Sequence, residues 1–140
     1  MKKDESTKIS NFLNKIKDTL AKYGYVYCTS FKRTCNDEFY GFANLNFGNG
    51  QSSSVYVTGN VRTGYLAIEY DTMVYSFLPT GKHSFTVNTA NYVIEDTDKF
   101  NFQILSQWAE TQFNLLQFYK KCEKEKLICK KLSNMKKDFK

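Results

Sequence analysis

The sequence predicts a single two-layer α+β domain (residues 1–140) in which helices cover one face of an antiparallel sheet of about five or six strands. Apolar residues repeat with the helical period of about 3.6 near both ends of the 140-residue chain. Between them, residues 25–88 alternate with the period of 2 that is typical of strands. No helical pattern interrupts this region, so parallel βαβ units are excluded. Consecutive strands are expected to pair as an antiparallel meander.

An amino-terminal helix is predicted by one apolar stripe, which consists of Ile9, Phe12, Leu13, Ile16, Leu20 and Tyr23. Ser6 or Thr7 is expected to cap the start of this helix. Gly24 follows its last turn, at the position where a left-handed residue commonly ends a helix.

The strands are expected at 25–33, 39–47, 53–59, 65–70, 73–78 and 83–88. The turns between them are predicted from short polar or Gly-containing segments: 35–37, 48–50, 60–64, 71–72 and 79–81. The second strand shows the clearest alternation, with Phe39, Ala43, Leu45 and Phe47 on one side. Residues 90–95 are expected to cross over to the carboxyl-terminal helix.

The long carboxyl-terminal helix is predicted to run from Asp98, with Thr97 or Asp98 as its cap, to about Lys137. Its core face consists of Phe102, Leu105, Ala109, Leu116 and Tyr119, flanked by Ile104, Trp108 and Leu115. A second stripe lies roughly 140–180° away, at about 100° per residue, and consists of Ile128, Leu132, Met135 and Phe139.

One straight helix cannot lay both stripes on one flat core. Either the helix breaks near 120–126, or its far half packs on another molecule. No Gly or Pro lies in this segment, which favours an unbroken helix that pairs with a second chain. The second stripe is therefore the predicted self-association site of a homodimer.

The net charge of +6 belongs to the two ends of the chain. Residues 1–23 carry +3, residues 24–119 carry −3, and the Lys-rich helical extension 120–140 carries +6. Nearly all of the basic residues are Lys, which argues against base-specific reading of nucleic acid; the compositional bias of an AT-rich genome explains this usage most simply. The extension supplies the candidate partner-binding residues Lys120, Lys121, Lys124, Lys130 and Lys131.

No residue pattern predicts an active site, a metal site or a cofactor. The spacing of Cys28/Cys35 and Cys122/Cys129 is longer than zinc sites use, so free thiols are expected. His83 lacks the partners of a catalytic base. Glu69 and Asp71 share one side of a strand, but a pair of carboxylates is weak evidence for a site.

The segment Tyr40-Gly41-Phe42-Ala43-Asn44-Leu45 resembles the aromatic strand of RNA-recognition motifs. The leading basic-Gly pair and the βαββαβ order of that family are absent, so the family is rejected and no other is recognised. What remains is a predicted binding face on the sheet, with Tyr25 or Tyr27 as further candidates beside its main members Tyr40, Phe42, Asn44 and Tyr56. This face is expected to stack bases, to bind another protein, or to be covered by residues 120–140.

These observations favour a cytoplasmic, non-enzymatic binding protein that covers or inhibits a protein or a protein–nucleic-acid complex. The small Lys- and Asn-rich chain suits an accessory protein of a phage or mobile element, of the counter-defence type. Neither end resembles a targeting segment, and no apolar run is long enough for a membrane span. The alternatives are a single-stranded nucleic-acid-binding protein, and a small enzyme or ligand-sequestering protein that uses Glu69, Asp71 and Arg62.

Overall fold

A computed structural model of the protein describes residues 2–33, 38–48, 50–77 and 83–138. Five strands form one sheet in the order β1-β2-β3-β4-β5, and each is antiparallel to the next. The predicted α+β class, the meander and both helices are confirmed. In chain order the elements are α1 (Lys2–Ala21), β1 (Val26–Arg33), β2 (Glu38–Gly48), β3 (Gln51–Asn60), β4 (Tyr65–Phe77), β5 (His83–Val93), a 3-10 helix (Thr97–Lys99) and α2 (Phe102–Asp138).

The hydrophobic core lies between one face of the sheet and the two helices. α1 packs over β2, and α2 packs over β4 and against α1. The predicted stripe of α1 is confirmed, because Phe12, Leu13, Ile16 and Leu20 are buried. The sheet and α2 contribute further buried side chains, among them Phe39, Ala43, Leu45, Phe47, Val55, Val57, Ile68, Leu105, Ala109 and Leu116.

The carboxyl end of α1 is closed as the sequence predicts. Gly24 has a φ of +86°, and its N–H donates to the carbonyl of Ala21 at 3.2 Å. The N–H of Tyr25 reaches back to the carbonyl of Leu20 at 3.3 Å, which completes the two hydrogen bonds of a Schellman motif. The predicted cap at Ser6 or Thr7 is wrong, since α1 already begins at Lys2. The polar first turns carry no apolar periodicity that could have located this start.

The predicted turn at Asp71-Thr72 is also wrong. β4 runs without interruption from Tyr65 to Phe77, so the sheet has five strands. It pairs with β5 from Ala67↔Val93 to Phe77↔His83, and β5 therefore extends into the predicted crossover. This ladder gives every residue near Asp71 a partner on β5, which outweighs the local preference of Asp and Thr for turns. The Asp71 carboxylate accepts a hydrogen bond from the Thr89 hydroxyl across the ladder at 2.9 Å.

Beyond Asp71, β4 continues without β3. The β3–β4 ladder ends at Ser54↔Asp71, which leaves the next main-chain groups of β4 without a strand partner on that side. The side chain of Gln112, buried on α2, takes the place of the missing strand. Its amide oxygen accepts from the Met73 N–H at 2.7 Å, and its amide nitrogen donates to the Met73 carbonyl at 3.1 Å.

In the two-stranded part formed by β4 and β5, side chains from both sides of β4 face α2. Thr72 accepts a hydrogen bond from Trp108 of α2, yet the adjacent Met73 is fully buried and the ring of Tyr75 contacts Phe118 of α2. Two-stranded ribbons twist more strongly than wide sheets. The stronger twist explains how both sides of β4 face α2 in turn.

α2 begins at Phe102, four residues later than predicted. Asn101 is its cap: the side-chain oxygen accepts from the N–H groups of Gln103 and Ile104 at 3.0 and 3.2 Å. Asp96 caps the preceding 3-10 helix instead, where it accepts from the N–H of Asp98 at 2.9 Å. The extended backbone at Phe100 separates the two helices.

α2 is one unbroken helix of 37 residues, about 55 Å long at about 1.5 Å per residue. The predicted alternative of a break near 120–126 is therefore excluded. None of the described helices has both the length and the apolar character needed to span a membrane.

Burying a charge at the α1 stripe is expected to destabilise the domain. Leu13→Asp or Ile16→Asp places an unpaired carboxylate in the core and should lower the free energy of unfolding by roughly 3–5 kcal/mol. Asn14→Asp adds the same charge on the exposed side of α1 and is the matched control. Thermal melts of all three variants test the docking of α1, and equal melting temperatures would contradict it.

Gln112→Leu should be strongly destabilising although it adds an apolar side chain to the core. It leaves the buried N–H and C=O of Met73 without partners, at about 1–3 kcal/mol for each group. The expected loss is roughly 2–4 kcal/mol in urea unfolding. Gln117→Leu, the same change at an exposed position of α2, should be nearly neutral; equal effects of the two changes would refute the strand-replacing role.

Candidate functional site

The four residues predicted as a binding face lie on the side of the sheet opposite the helices. Phe42 and Tyr56 are directly paired across β2 and β3, and their rings stack with centroids 4.5 Å apart and planes 19° apart. Tyr40 lies one position further along this face and is 48% exposed. Asn44 lies at the other side of Phe42, where its side-chain oxygen accepts from the Ser54 hydroxyl at 3.3 Å. The four predicted residues therefore form one aromatic and polar surface.

Tyr25 and Tyr27 do not belong to this surface. Tyr25 is buried on the helix side, where its hydroxyl pairs with the Ser53 hydroxyl at 2.7 Å. The ammonium group of Lys17 on α1 lies 5.6 Å from the ring centroid of Tyr27, which places that ring on the helix side as well. The strand pattern alone did not reveal this orientation.

The Lys-rich extension projects from the domain. Lys120, Lys121, Lys124, Lys130 and Lys131 are all exposed, as is every residue of 123–135. This segment therefore does not cover the aromatic face of the sheet, which was one of the three expectations for that face. The lysines and the aromatic face remain two separate surfaces.

The second apolar stripe of α2 has no partner within the described chain. Ile128, Leu132 and Met135 are 49%, 54% and 54% exposed, and they lie on one line of the helix because they are spaced four and three residues apart. Phe139, the fourth predicted member, lies outside the described residues.

Two of the four cysteines considered for chemistry lie among the residues whose side chains the structure describes. Cys122 and Cys129 are free thiols on α2, and α2 continues as one helix past both of them. Cys35 and the side chains of Cys28 and His83 lie outside the described part. Among the described residues, no group of three or more His, Cys, Asp or Glu is placed to hold a metal ion.

A pocket of about 620 Å³ opens between the β4–β5 side of the sheet and the start of α2. A helix is about 10 Å across and strands lie about 4.8 Å apart, so two helices cover about four strands and leave β5 partly uncovered. Glu69, Asp71 and Arg62, the residues predicted for a ligand site, do not line this pocket. Its walls include Tyr70, Tyr92, Phe100, Ile104 and Trp108, and its rim carries Glu95, Asp96 and Lys99.

The aromatic walls of the pocket are held in place by their neighbours. The indole N–H of Trp108 donates to the Thr72 hydroxyl at 2.9 Å. The ring of Tyr25 packs against the indole ring, with the two centroids 5.7 Å apart. The ring centroids of Tyr70 and Trp108 lie 5.0 Å apart, with an angle of 65° between the ring planes. Those of Tyr70 and Tyr92 lie 6.0 Å apart, with an angle of 70°. Burial raises the pKa of Tyr70 to about 12, and the Tyr92 hydroxyl adds a smaller upward effect. The Tyr70 ring is therefore neutral at physiological pH.

Sequence reasoning missed this pocket because its residues come from three separated segments. Ile104 was expected to flank the core face of α2, but it is 60% exposed at the pocket wall. The position of Tyr92 could not be recognised while β5 was expected to end at Asn88. The acidic residues Glu95, Asp96 and Asp98 give no separate signal for a pocket, because negative charge is favoured next to the start of a helix in any case.

The chain was also compared with known proteins. Comparisons of the chain with models of protein families, with curated proteins and with solved structures find no significant match in any of the three.

Proposed function

We propose that the protein is a non-enzymatic, cytoplasmic binding protein that covers or inhibits a partner macromolecule, and that it acts as a homodimer joined through the distal part of α2. One observation carries the proposal. The helix continues for about five turns beyond its last contacts with the sheet, and it exposes apolar side chains there. The domain itself gains nothing from this extension, so a contact with another molecule is its best explanation.

The exposed stripe fits a second copy of the same helix. Ile128, Leu132 and Met135 have the four-and-three spacing of a seam between two helices. Full burial of such side chains is worth roughly 1.5–3 kcal/mol each, and about half of that remains to be gained at their present exposure. Six side chains in a symmetric pair would contribute several kcal/mol. The seam is short, so a weak dimer is expected.

A dimer would present two copies of the Lys-rich surface and two aromatic faces. Tyr is a favoured anchor of protein interfaces, and Tyr40 is about half exposed beside the stacked Phe42–Tyr56 pair. The positive charge of the extension suits an acidic partner surface or a protein–nucleic-acid complex. This combination supports an accessory role of the counter-defence type more than catalysis.

Leu132→Lys combined with Met135→Lys should convert the dimer into a monomer without unfolding the domain. The two changes place four like charges in the seam. Ser133→Lys combined with Asn134→Lys adds the same charge on the opposite side of the helix and should leave the dimer intact. Light scattering at about 100 μM, with thermal melting of the same samples, measures both effects. A wild-type protein that is already monomeric at this concentration would refute the dimer.

Single-stranded nucleic-acid binding is the second candidate function. The exposed side chains of Lys120, Lys121, Lys124, Lys130 and Lys131 favour phosphate contacts. The stacked rings of Phe42 and Tyr56 supply an aromatic surface of the kind on which bases stack.

Charge reversal tests this second function. Changing the five lysines to Glu should abolish oligonucleotide binding, and the wild-type affinity should fall with a logarithmic salt slope near about −3.5, at about −0.7 for each contact. Glu123→Gln with Glu125→Gln removes acidic groups from the same segment and should strengthen binding. Fluorescence anisotropy with a labelled single strand measures all three proteins. Failure of the wild type to bind DNA or RNA at about 20 mM salt would end this hypothesis.

A further inference from the structure

The pocket beside β5 has the chemistry of a site for a small organic cation. Its walls are aromatic, and adjacent rings meet at steep angles, 65° between Tyr70 and Trp108 and 70° between Tyr70 and Tyr92. In each pair the edge of one ring packs against the face of the other, and all three residues line the pocket. The electron-rich faces of Trp and Tyr attract cations that lie within about 6 Å of the ring centre.

The charged groups at the rim distinguish between ligand classes. The lining of the pocket includes two acidic residues, Glu95 and Asp96, against one basic residue, Lys99, and the Asp96 carboxylate also accepts from the N–H of Asp98. This balance repels phosphates and other anions, and a purely apolar ligand would gain nothing from it. A cation is attracted both by the carboxylates and by the rings. Cations already lie over rings elsewhere in this fold, as Lys15 does over Phe102 at 4.7 Å.

The site is also formed in advance of binding. Trp108 is fixed by its hydrogen bond to Thr72 and by contact with Tyr25, so little side-chain freedom is lost when a ligand enters. The volume of about 620 Å³ lies within the range of pockets that hold whole small molecules. Tyr92, at 58% exposure, leaves one side open for entry.

We propose that this pocket binds a small organic cation that carries a quaternary ammonium group, held between Tyr70, Tyr92 and Trp108 and attracted by Glu95 and Asp96. This activity is independent of the dimer and of nucleic-acid binding. It is a ligand site on the domain itself, and it lies apart from the projecting half of α2.

Choline and its uncharged isostere 3,3-dimethyl-1-butanol provide the direct test. They have the same shape and differ in charge, and Trp108 is the single tryptophan of the chain, so its fluorescence reports on the pocket. At matched ionic strength, choline should produce a saturable change and bind roughly three- to thirtyfold more tightly than the alcohol, the range expected of cation–aromatic attraction. Equal affinities, or no saturable change with choline up to tens of millimolar, would overturn the proposal.

Variants of the pocket measure the contributions of the rim charges and of the aromatic walls to choline binding separately. Glu95→Gln with Asp96→Asn removes both charges, and the Asn oxygen can still accept from the N–H of Asp98; choline affinity should fall about tenfold while affinity for the alcohol stays unchanged. Tyr92→Ala should weaken choline binding several-fold. Glu110→Gln and Tyr65→Ala, at exposed positions outside the pocket, are the matched controls. Wild-type choline affinity in both pocket variants would refute the assignment.

A further titration identifies the source of the cation. Vesicles of phosphatidylcholine present the same quaternary ammonium group on a lipid surface. Choline binding without vesicle binding assigns the site to a free small molecule, whereas vesicle binding that free choline displaces assigns it to a headgroup. Vesicle binding that choline does not displace would contradict the pocket as the cation site.

Discussion

The two hydrogen bonds between the Gln112 side chain and the main chain of Met73 are the constraint on which the layout of this protein depends. A five-stranded meander whose fourth and fifth strands outrun the third leaves main-chain groups of β4 without a strand partner. One buried amide supplies both a donor and an acceptor to the same residue, as a neighbouring strand would. Because both bonds are buried, α2 cannot slide along the sheet without losing them.

The position of α2 then determines both candidate sites. Trp108 lies one turn before Gln112, and in this register its indole meets Thr72 and Tyr70, which forms the wall of the pocket. Leu116 lies one turn after Gln112 and is the last fully buried residue of the helix. Phe118 and Tyr119 still meet Tyr75 and Phe85 of the sheet, whereas every residue of 123–135 is exposed, so the extension projects. A cation pocket and a projecting helix are two consequences of one anchored register.

Periodic features of this fold could be predicted from the sequence, and features fixed by tertiary pairing could not. The α1 stripe and the alternation of β2 follow directly from residue spacing, and so does the placement of Tyr40 and Phe42 on the open face. The prediction of a turn at Asp71 was wrong because pairing with β5 outweighs the local preference of Asp and Thr for turns. Gln112 reads in the sequence as one polar residue interrupting an apolar face, and nothing local identifies the carbonyl and N–H that it satisfies. The pocket depends on the β4–β5 ladder and on the hydrogen bonds of Gln112, so it could not be predicted from the sequence.

The lysines place a further constraint on the projecting helix, because they lie beside its apolar stripe. Lys124 and Lys131 flank the line through Ile128 and Leu132, so pairing two copies brings positive charges together. Salt screens this repulsion and favours the dimer. Binding of a nucleic acid to the same lysines releases counterions, and salt weakens it. The two functions proposed for this helix therefore respond to ionic strength in opposite directions. An acidic protein surface would relieve the repulsion that a dimer leaves, which makes such a partner the best match for the assembled pair.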